Sequence, residues 1–288
     1  MNQQPILGCA LNLSEGRRAG VVDTVARAAS PAAVLDISSD PDHNRTVLTL
    51  CGTPNNLVEG VVSASRAALE HVDLRSHDGV HPRLGAVDVV PFYPLQSANM
   101  ADAVAAATLC AERLWEVLQL PSFLYEEAAT TTQSRALPWI RRNAFAGSVP
   151  DVGGPGPHPT GGAAVVGARS LLVAYNVDLD STDLPVARRI ASAIRGAFRG
   201  RVRSLGLALP LRGSVQVSMN ILRPEQVCLE EVFTAVVELA GEAGVEVRGS
   251  EIVGLVPRAC LCSADEAVLK LRDRPKVLED ALDRLFAD

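Results

Sequence analysis

The chain has 288 residues, of which 48% are apolar and 21% are charged, and its net charge is −6. This composition is typical of a globular protein, and a domain size of roughly 100–200 residues predicts two packed units. The negative net charge argues against a nucleic acid or an anionic membrane as partner. Lysine is absent before Lys270, which argues against P-loop, kinase and Schiff-base chemistry, because each needs a lysine beside its site.

The cysteines are spread along the chain in apolar surroundings, apart from the close pair Cys260 and Cys262, and form no C-x₂-C pair. We therefore expect buried free thiols rather than a disulfide framework or a zinc site. The N-terminus lacks the basic segment of a signal peptide. Charged residues interrupt every long apolar stretch, so no membrane span is expected. Together these features predict a reduced, cytoplasmic protein.

The first half of the chain predicts the element order β-α-β-β-α-β. A helix capped by Ser14 follows the first strand, and a second helix carries an apolar stripe from Leu57 to Val72. The predicted strands cover residues 5–12, 33–37, 45–51 and 87–93. A helix at 101–118, a strand at 123–126 and a helix near 137–143 are predicted to follow.

The second half repeats the same order. Helices are predicted from Asp183 and over residues 229–240, and the tail at 263–286 reads as an amphipathic helical end. The predicted strands cover residues 171–177, 205–209, 215–221, 245–247 and 252–256. The pattern predicts an α+β fold of two ferredoxin-like βαββαβ subdomains, at 1–170 and 171–288, each a sheet with helices on one face. Two such sheets are suited to enclosing a cleft.

Three segments break the regular pattern and are candidates for chemistry. Residues 77–88 place His77 and His81 with arginine and aspartate at the entry of a strand, although an ordinary surface loop would also hold solvated histidines. Residues 151–162 are mostly glycine and proline. They are either an interdomain connector or a stiff wall against which a flat ligand lies. Residues 40–46 form a turn whose Arg45 is suited to binding a carboxylate.

Several segments, in order along nearly the whole chain, resemble the motifs of one enzyme family. Residues 12–17 (N-L-S-E-G-R) resemble N-F-S-E-G-R/K, and residues 81–88 (H-P-R-L-G-A-V-D) resemble H-P-R-x-G-A-x-D. The other similar segments are residues 43–47, 158–169, 216–220 and 249–257. On these motifs the chain is similar to the formiminotransferase family, the folate-dependent glutamate formimidoyltransferases.

The resemblance implies transfer of a formimidoyl group from N-formimidoylglutamate to N5 of tetrahydrofolate, with His81 as the catalytic residue. Tetrahydrofolate is then a co-substrate, the amidine donor is the other small-molecule partner, and no metal is needed. Folate is expected along the glycine- and proline-rich loop, at Gly153, Gly154, Pro155, Gly156, Pro157, His158, Pro159, Thr160, Gly161 and Gly162. Substrate contacts are expected from Asn12, His43, Asn44, Arg45 and Arg83.

The resemblance also implies a cytoplasmic homodimer in histidine degradation and one-carbon metabolism, without a fused cyclodeaminase. Two departures leave other functions open. Gly8 and Leu11 replace a glutamate and a proline of the motif E-C-V-P-N, and Ser38 replaces the second aspartate of a D-x-D motif, for which Asp40 or Asp42 is a possible substitute. The alternatives are a formimidoyl transferase with a different amine partner and a folate-binding homologue without catalysis.

Overall fold

The protein is described from a computed structural model, which covers residues 4–261 and 267–287. The chain divides into two compact units, Met1–Ser170 and Leu171–Asp288. Each unit has its own sheet and its own hydrophobic core.

The first unit begins with the βαββαβ succession that the sequence predicts, followed by four further elements. In chain order these elements are β1 (Leu7–Leu13), α1 (Ala19–Ala28), β2 (Ala33–Asp40), β3 (Arg45–Gly52), α2 (Pro54–His71), β4 (Val87–Pro94), α3 (Met100–Leu118), β5 (Ser122–Glu126), α4 (Leu137–Asn143) and β6 (Ala164–Ala168). The sheet order is β2-β3-β1-β4-β6-β5. Its first four strands pair antiparallel in the ferredoxin-like arrangement, while β6 pairs parallel with both β4 and β5. The sequence pattern did not predict β6.

The two faces of this sheet carry different layers because neighbouring residues of a strand point to opposite sides. Val90 and Val166 belong to the main core under α1, α2 and α3. Val89 and Val165, next to them in sequence, belong to a separate apolar cluster with Ile140 of α4. The helices of the βαββαβ succession, α1 and α2, cover one face as expected, and α4, which lies outside that succession, packs on the opposite face.

The second unit has the predicted ferredoxin-like order with a four-stranded sheet. Its elements are β7 (Val173–Leu179), α5 (Leu184–Ala197), β8 (Val202–Leu209), β9 (Ser214–Ile221), α6 (Leu229–Glu242), β10 (Val247–Val253) and α7 (Leu278–Phe286). The sheet order is β10-β7-β9-β8, with every pair antiparallel. The predicted helical tail is shorter than expected: α7 begins at Leu278, and the start of the predicted helix at 263–266 lies outside the described residues.

One face of the second sheet carries a group of charged and amide side chains, the Asp178 cluster, formed by Asp178, Gln216, Glu251, Arg212 and Arg272. Gln216 Nε2 donates to Asp178 Oδ1 at 2.8 Å and to Glu251 Oε1 at 3.2 Å. Arg272 binds both carboxylates, and Arg212 Nη1 lies 3.6 Å from an oxygen of each. Two carboxylates and two guanidiniums thus lie together, with Arg272 and Gln216 hydrogen-bonded to both carboxylates and Arg212 within ion-pair distance of them.

The cysteines follow the expectation of buried free thiols at four positions, Cys9, Cys51, Cys110 and Cys260. Burial raises the pKa of Cys51 and of Cys260 to about 11, so these thiols are unreactive at neutral pH. At Cys228 the expectation is wrong, because this residue is disulfide-bonded. Cys262 lies outside the described residues.

Candidate active site

His81 lies in the connection from α2 to β4, and backbone contacts fix this connection against the end of β1. Ser14 donates its amide to Ala86 O at 2.8 Å and its hydroxyl to Gly85 O at 2.7 Å. Ser14 is almost fully buried. The segment that carries His81 is therefore anchored to the sheet rather than left as a free surface loop.

Arg45, the first residue of β3, connects the polar residues around His81. Its guanidinium donates from Nε and Nη2 to Asn12 Oδ1, at 3.0 and 2.7 Å. Its Nη1 donates to Asp88 Oδ2 at 2.8 Å and lies 3.0 Å from Nδ1 of His81. Asn12 is held in turn by its own amide, which donates to Ala10 O at 2.8 Å. The structure thus brings together three residues that the sequence nominated separately: Asn12, Arg45 and His81.

Asp88 and Arg141 complete this group, which we call the His81 cluster (Asn12, Arg45, His81, Asp88 and Arg141). Asp88, the second residue of β4, is fully buried. Its Oδ2 accepts from Arg141 Nη2 at 2.6 Å as well as from Arg45, and its Oδ1 accepts from the Leu84 amide at 2.6 Å. Burial opposes the charge of Asp88, but Arg141 and Arg45 outweigh that effect and lower its pKa. Asp88 is therefore an ionised carboxylate shared by two guanidiniums.

The sequence did not nominate Asp88 or Arg141 as site residues. Asp88 is the last residue of the motif that begins with His81, so the sequence indicates that it lies near the site. The sequence does not indicate that Asp88 binds Arg45 and Arg141. Arg141 comes from α4, a helix of seven residues whose arginines are adjacent in sequence. Only the packing of α4 on the sheet face distinguishes Arg141, which is half-buried, from Arg142, which is exposed.

Nδ1 of His81 has two competing neighbours. It lies 3.0 Å from Arg45 Nη1, which can only donate, and 2.8 Å from Pro82 O, which can only accept. A neutral imidazole satisfies one of them in each tautomer. When Nδ1 carries the proton and donates it to Pro82 O, Nε2 holds the free lone pair. The His43 ring lies 5.6 Å from the His81 ring, centroid to centroid, and is tilted by 34°.

The surroundings of His81 favour the neutral imidazole. Burial lowers its pKa well below the usual value of 6.5, and the positive charges of Arg45 and Arg141, together with His43, lower it further. The hydrogen bond to Pro82 O acts in the opposite direction but is the smallest contribution. At neutral pH the ring is therefore unprotonated, and one of its nitrogen lone pairs is available to a proton.

Arg83 and Asn44 hold the loops next to the His81 cluster. Arg83 Nη2 donates to Gly79 O at 2.7 Å and to His81 O at 2.9 Å, and its Nη1 contacts His77. Asn44 accepts from the Gly16 amide at 2.9 Å and donates to Asp78 O at 2.7 Å. In these positions both side chains are engaged with backbone groups of the surrounding loops.

The glycine- and proline-rich loop folds around His158. Nδ1 of His158 accepts from the amides of Gly161 at 2.9 Å and Thr160 at 3.3 Å. Gly162 has a positive φ of 67°, and a Cβ there would lie 2.2 Å from Leu84 O, so this position requires glycine. The earlier part of the loop, from Gly153 to Pro157, is largely exposed.

The end of this loop is hydrogen-bonded to the segment that carries His81. Ala86 donates its amide to Gly161 O at 2.9 Å, and Leu74 donates to Thr160 O at 2.8 Å. Gly85 and Gly162 form an antiparallel bridge. The two candidate segments, 77–88 and 151–162, are thus neighbours in the first unit.

Asp36, the retained aspartate of the D-x-D position, and Asp40, one of its two candidate replacements, make local hydrogen bonds. Ser38 donates to Asp36 Oδ2 at 2.7 Å, and Asp40 Oδ1 accepts from the His43 amide at 2.7 Å. Asp42 is buried, and its carbonyl accepts from the Val80 amide at 3.2 Å. The carboxylate joined to His81 through Arg45 is Asp88.

Within the described residues, no group of three or more His, Cys, Asp or Glu side chains is arranged to hold a metal ion. The helices that the structure describes are too short or too polar to cross a bilayer.

Comparisons with known proteins extend this description to the whole chain. Residues 6–169 match the family model "Formiminotransferase domain, N-terminal subdomain", and residues 174–285 match "Formiminotransferase domain". A glutamate formimidoyltransferase of Streptococcus pyogenes serotype M1 is 36% identical, over 96% of this chain and 98% of the relative. One from Thermoplasma acidophilum is 34% identical, over 97% of this chain and 98% of that protein.

A formimidoyltransferase-cyclodeaminase of Sus scrofa is 38% identical over 90% of this chain and 51% of its own length. The chain therefore spans about half the length of this fused relative. With both subdomain models matched in order along nearly the whole sequence, the chain belongs to the formiminotransferase family.

Proposed function

We propose that this chain is a folate-dependent glutamate formimidoyltransferase, which moves a formimidoyl group from N-formimidoylglutamate to N5 of tetrahydrofolate. The observation that carries the proposal is the position of the His81 imidazole, whose Nδ1 is held between Arg45 Nη1 and Pro82 O. The reaction needs one group that accepts a proton near neutral pH and returns it. The activity named for the full-length relatives supports the same assignment.

In the proposed reaction, N5 of tetrahydrofolate attacks the amidine carbon and forms a carbon–nitrogen bond. Nε2 of His81 takes the proton from N5. The resulting imidazolium returns it to the nitrogen of glutamate as the bond between that nitrogen and the amidine carbon breaks. Protons and charges balance without a further reactant. The tautomer that donates from Nδ1 to Pro82 O leaves Nε2 ready for the first step.

The positive charges around His81 have a defined part in this cycle. Burial lowers the pKa of the imidazole, and Arg45 and Arg141 lower it further, so that the ring starts neutral and its imidazolium releases the proton readily to the leaving amine. Asn12 and Asp88 hold the Arg45 guanidinium in place. We assign Asn12 and Asp88 as positioning residues and His81 as the catalytic residue.

We propose that folate lies along residues 153–162. The exposed stretch from Gly153 to Pro157 offers a backbone without bulky side chains, which suits a flat ring. His158 shapes the end of the loop by binding the amides of Thr160 and Gly161. The hydrogen bond from Ala86 to Gly161 O joins this loop to the His81 segment.

The direct test is to incubate the purified protein with N-formimidoylglutamate and tetrahydrofolate and to follow both products by mass spectrometry. We expect glutamate and formimidoyl-tetrahydrofolate to appear in equal amounts, and neither to form when either substrate is omitted. Glutamate release without folate would identify a hydrolase instead. Tight folate binding without any transfer would identify a non-catalytic folate-binding homologue.

A second candidate is the same transfer with a different amine partner. A Cβ at Gly8 would lie 2.2 Å from the ring of Tyr93, so the buried tyrosine fills the space beside β1 where the family motif has a glutamate. Assays with formimidoyl derivatives of other amino acids separate the two functions. A higher kcat/KM for a donor other than formimidoylglutamate would favour this second candidate.

The remaining expectations belong to the same proposal. A cytoplasmic homodimer that links histidine degradation to one-carbon metabolism is supported by the family membership. Sedimentation equilibrium measures the oligomeric state directly, and a mass of twice 30.4 kDa is expected.

A further inference from the structure

Arg141 has a hydrogen-bond donor that no described residue accepts. Its Nη2 is bound to Asp88 at 2.6 Å, and only 17% of its side chain is exposed. Its Nε is buried and has no acceptor among the residues that the structure describes. Buried polar groups in native proteins nearly always have a partner, so this N–H is a candidate donor to a bound ligand.

The charge around Arg141 indicates the kind of acceptor. The guanidiniums of Arg45 and Arg141 share the single carboxylate of Asp88, and Arg83 also interacts electrostatically with both Asp88 and Arg141. The neutral His81 adds no negative charge. Asp78 and Arg17 also act on Arg83, and with both of them counted positive charge still exceeds negative charge at this half-buried position, so a bound anion would restore the balance.

The position of Arg141 relative to His81 indicates which part of the substrate supplies this anion. Successive contacts of 2.6, 2.8 and 3.0 Å connect Arg141 through Asp88 and Arg45 to the imidazole. In an N-formimidoyl amino acid, the α-carboxylate is separated from the amidine carbon only by the amidine nitrogen and Cα. A donor whose amidine carbon lies at His81 therefore has its α-carboxylate close to this excess of positive charge.

We propose that Arg141 binds the α-carboxylate of the amidine donor through its Nε–H and thereby selects N-formimidoyl amino acids over amidines without a carboxylate. This inference rests on the proposed function, which supplies the donor. A planar guanidinium with one end fixed on Asp88 is well suited to hold a carboxylate in one orientation. Arg141 then determines specificity, whereas His81 performs the proton transfer.

The test compares two donors in one assay at saturating tetrahydrofolate: N-formimidoylglutamate and formamidine, which has no carboxylate. In Arg141→Gln, we expect kcat/KM for formimidoylglutamate to fall about 10- to 100-fold, the usual effect of losing a charged hydrogen bond. With formamidine the fall reports only the loss of the Arg141 charge beside His81 and Asp88 and should be at least tenfold smaller, and the KM for tetrahydrofolate should not change. Arg141→Lys keeps the charge but loses the Nε–H, and its kcat/KM should lie between those of Arg141→Gln and the unsubstituted protein.

Arg142→Gln is the matched control, because Arg142 is the next residue of the same helix and is exposed. It should behave as the unsubstituted protein with both donors. An equal fall for both donors in Arg141→Gln would overturn the inference and show that Arg141 acts only on Asp88 and His81. Urea unfolding of each variant establishes that it is folded.

Calorimetric binding of N-formylglutamate, an unreactive analogue of the donor, separates this inference from the proposed function. At least tenfold weaker binding by Arg141→Gln supports the carboxylate site, even if no transfer to folate is found. Equal binding by the two proteins, or binding by neither, overturns it. Absence of transfer by the unsubstituted protein overturns only the proposed function.

Discussion

The His81 cluster of the first unit and the Asp178 cluster of the second differ in how their charges are balanced. In the Asp178 cluster, two carboxylates meet two guanidiniums, and Gln216 joins both carboxylates. In the His81 cluster, Asp88 alone serves two guanidiniums. The two groups occupy sheets of the same βαββαβ topology.

This difference separates a stabilising network from a reactive one. Where each charge has a counter-charge, the groups fix one another and contribute to a unique packing. Where positive charge is in excess, it adds to burial in lowering the pKa of a nearby imidazole, as at His81, and it attracts an anionic ligand. Similar residue types on related sheets can therefore have different functions, depending on whether the positive and negative charges in the cluster are equal in number.

The largest effect is expected from His81 itself. His81→Gln keeps a polar side chain but cannot exchange a proton, so kcat should fall about 10²- to 10⁴-fold. Steady-state transfer from formimidoylglutamate measures this fall, and folate binding should be retained. His71→Gln, an exposed residue at the end of α2, is the matched control and should leave kcat unchanged. An unchanged rate in His81→Gln would show that the His81 cluster is no more reactive than the Asp178 cluster.

Asp88→Asn tests the dependence of the His81 cluster on one carboxylate. The substitution leaves Arg45 and Arg141, whose side chains are 14% and 17% exposed, without their shared counter-charge. Breaking a buried ion pair in this way typically costs about 3–5 kcal/mol. Urea unfolding monitored by circular dichroism measures the loss, and a cost below about 1 kcal/mol would contradict the pairing described here.

Asp178→Asn is the corresponding change in the second unit, and we expect it to cost less. Glu251 still faces both Arg212 and Arg272 after the substitution. Both arginines are also more exposed than those around Asp88. We expect a loss of about 1–2 kcal/mol in the free energy of unfolding. A loss as large as that of Asp88→Asn would show that the second carboxylate provides no compensation.

The sequence predicts the fold better than it predicts the site. Hydrophobic periodicity identifies the two βαββαβ successions because helices and strands bury residues at different spacings. It misses β6, a five-residue strand (Ala164–Ala168) whose residues are all buried, since a short run without alternation carries no period. It also leaves open which side of the sheet α4 covers, because the period of a helix does not reveal the sheet face on which it packs.

The site is predictable where residues lie within a motif and unpredictable where packing alone joins them. Arg45 and His81 were nominated from their own segments, and the structure places them in contact. Arg141 lies 53 residues from Asp88 in sequence, and neither its spacing nor its neighbours distinguish it from Arg142. Pairing of that kind is a property of the folded sheet face.

The smallest predicted effect is on the pH dependence of stability. It is expected for the His81 cluster and not for the Asp178 cluster, which contains no histidine. The pKa of His81 is lowered in the folded protein, so below pH 6.5 the unfolded chain binds a proton that the folded protein does not. The free energy of unfolding therefore decreases as the pH falls from 6.5 toward the lowered pKa of His81. This one residue accounts for at most about 1.4 kcal/mol of the decrease per pH unit. His81→Gln lacks this dependence.

The experiment measures the free energy of unfolding in urea between pH 7.5 and about 5.5, for His81→Gln and for the unsubstituted protein. Their difference isolates the effect of His81 from those of His77 and His158, whose pKa values are also lowered. Parallel curves for the two proteins would show that His81 titrates normally and that the excess positive charge does not act on it.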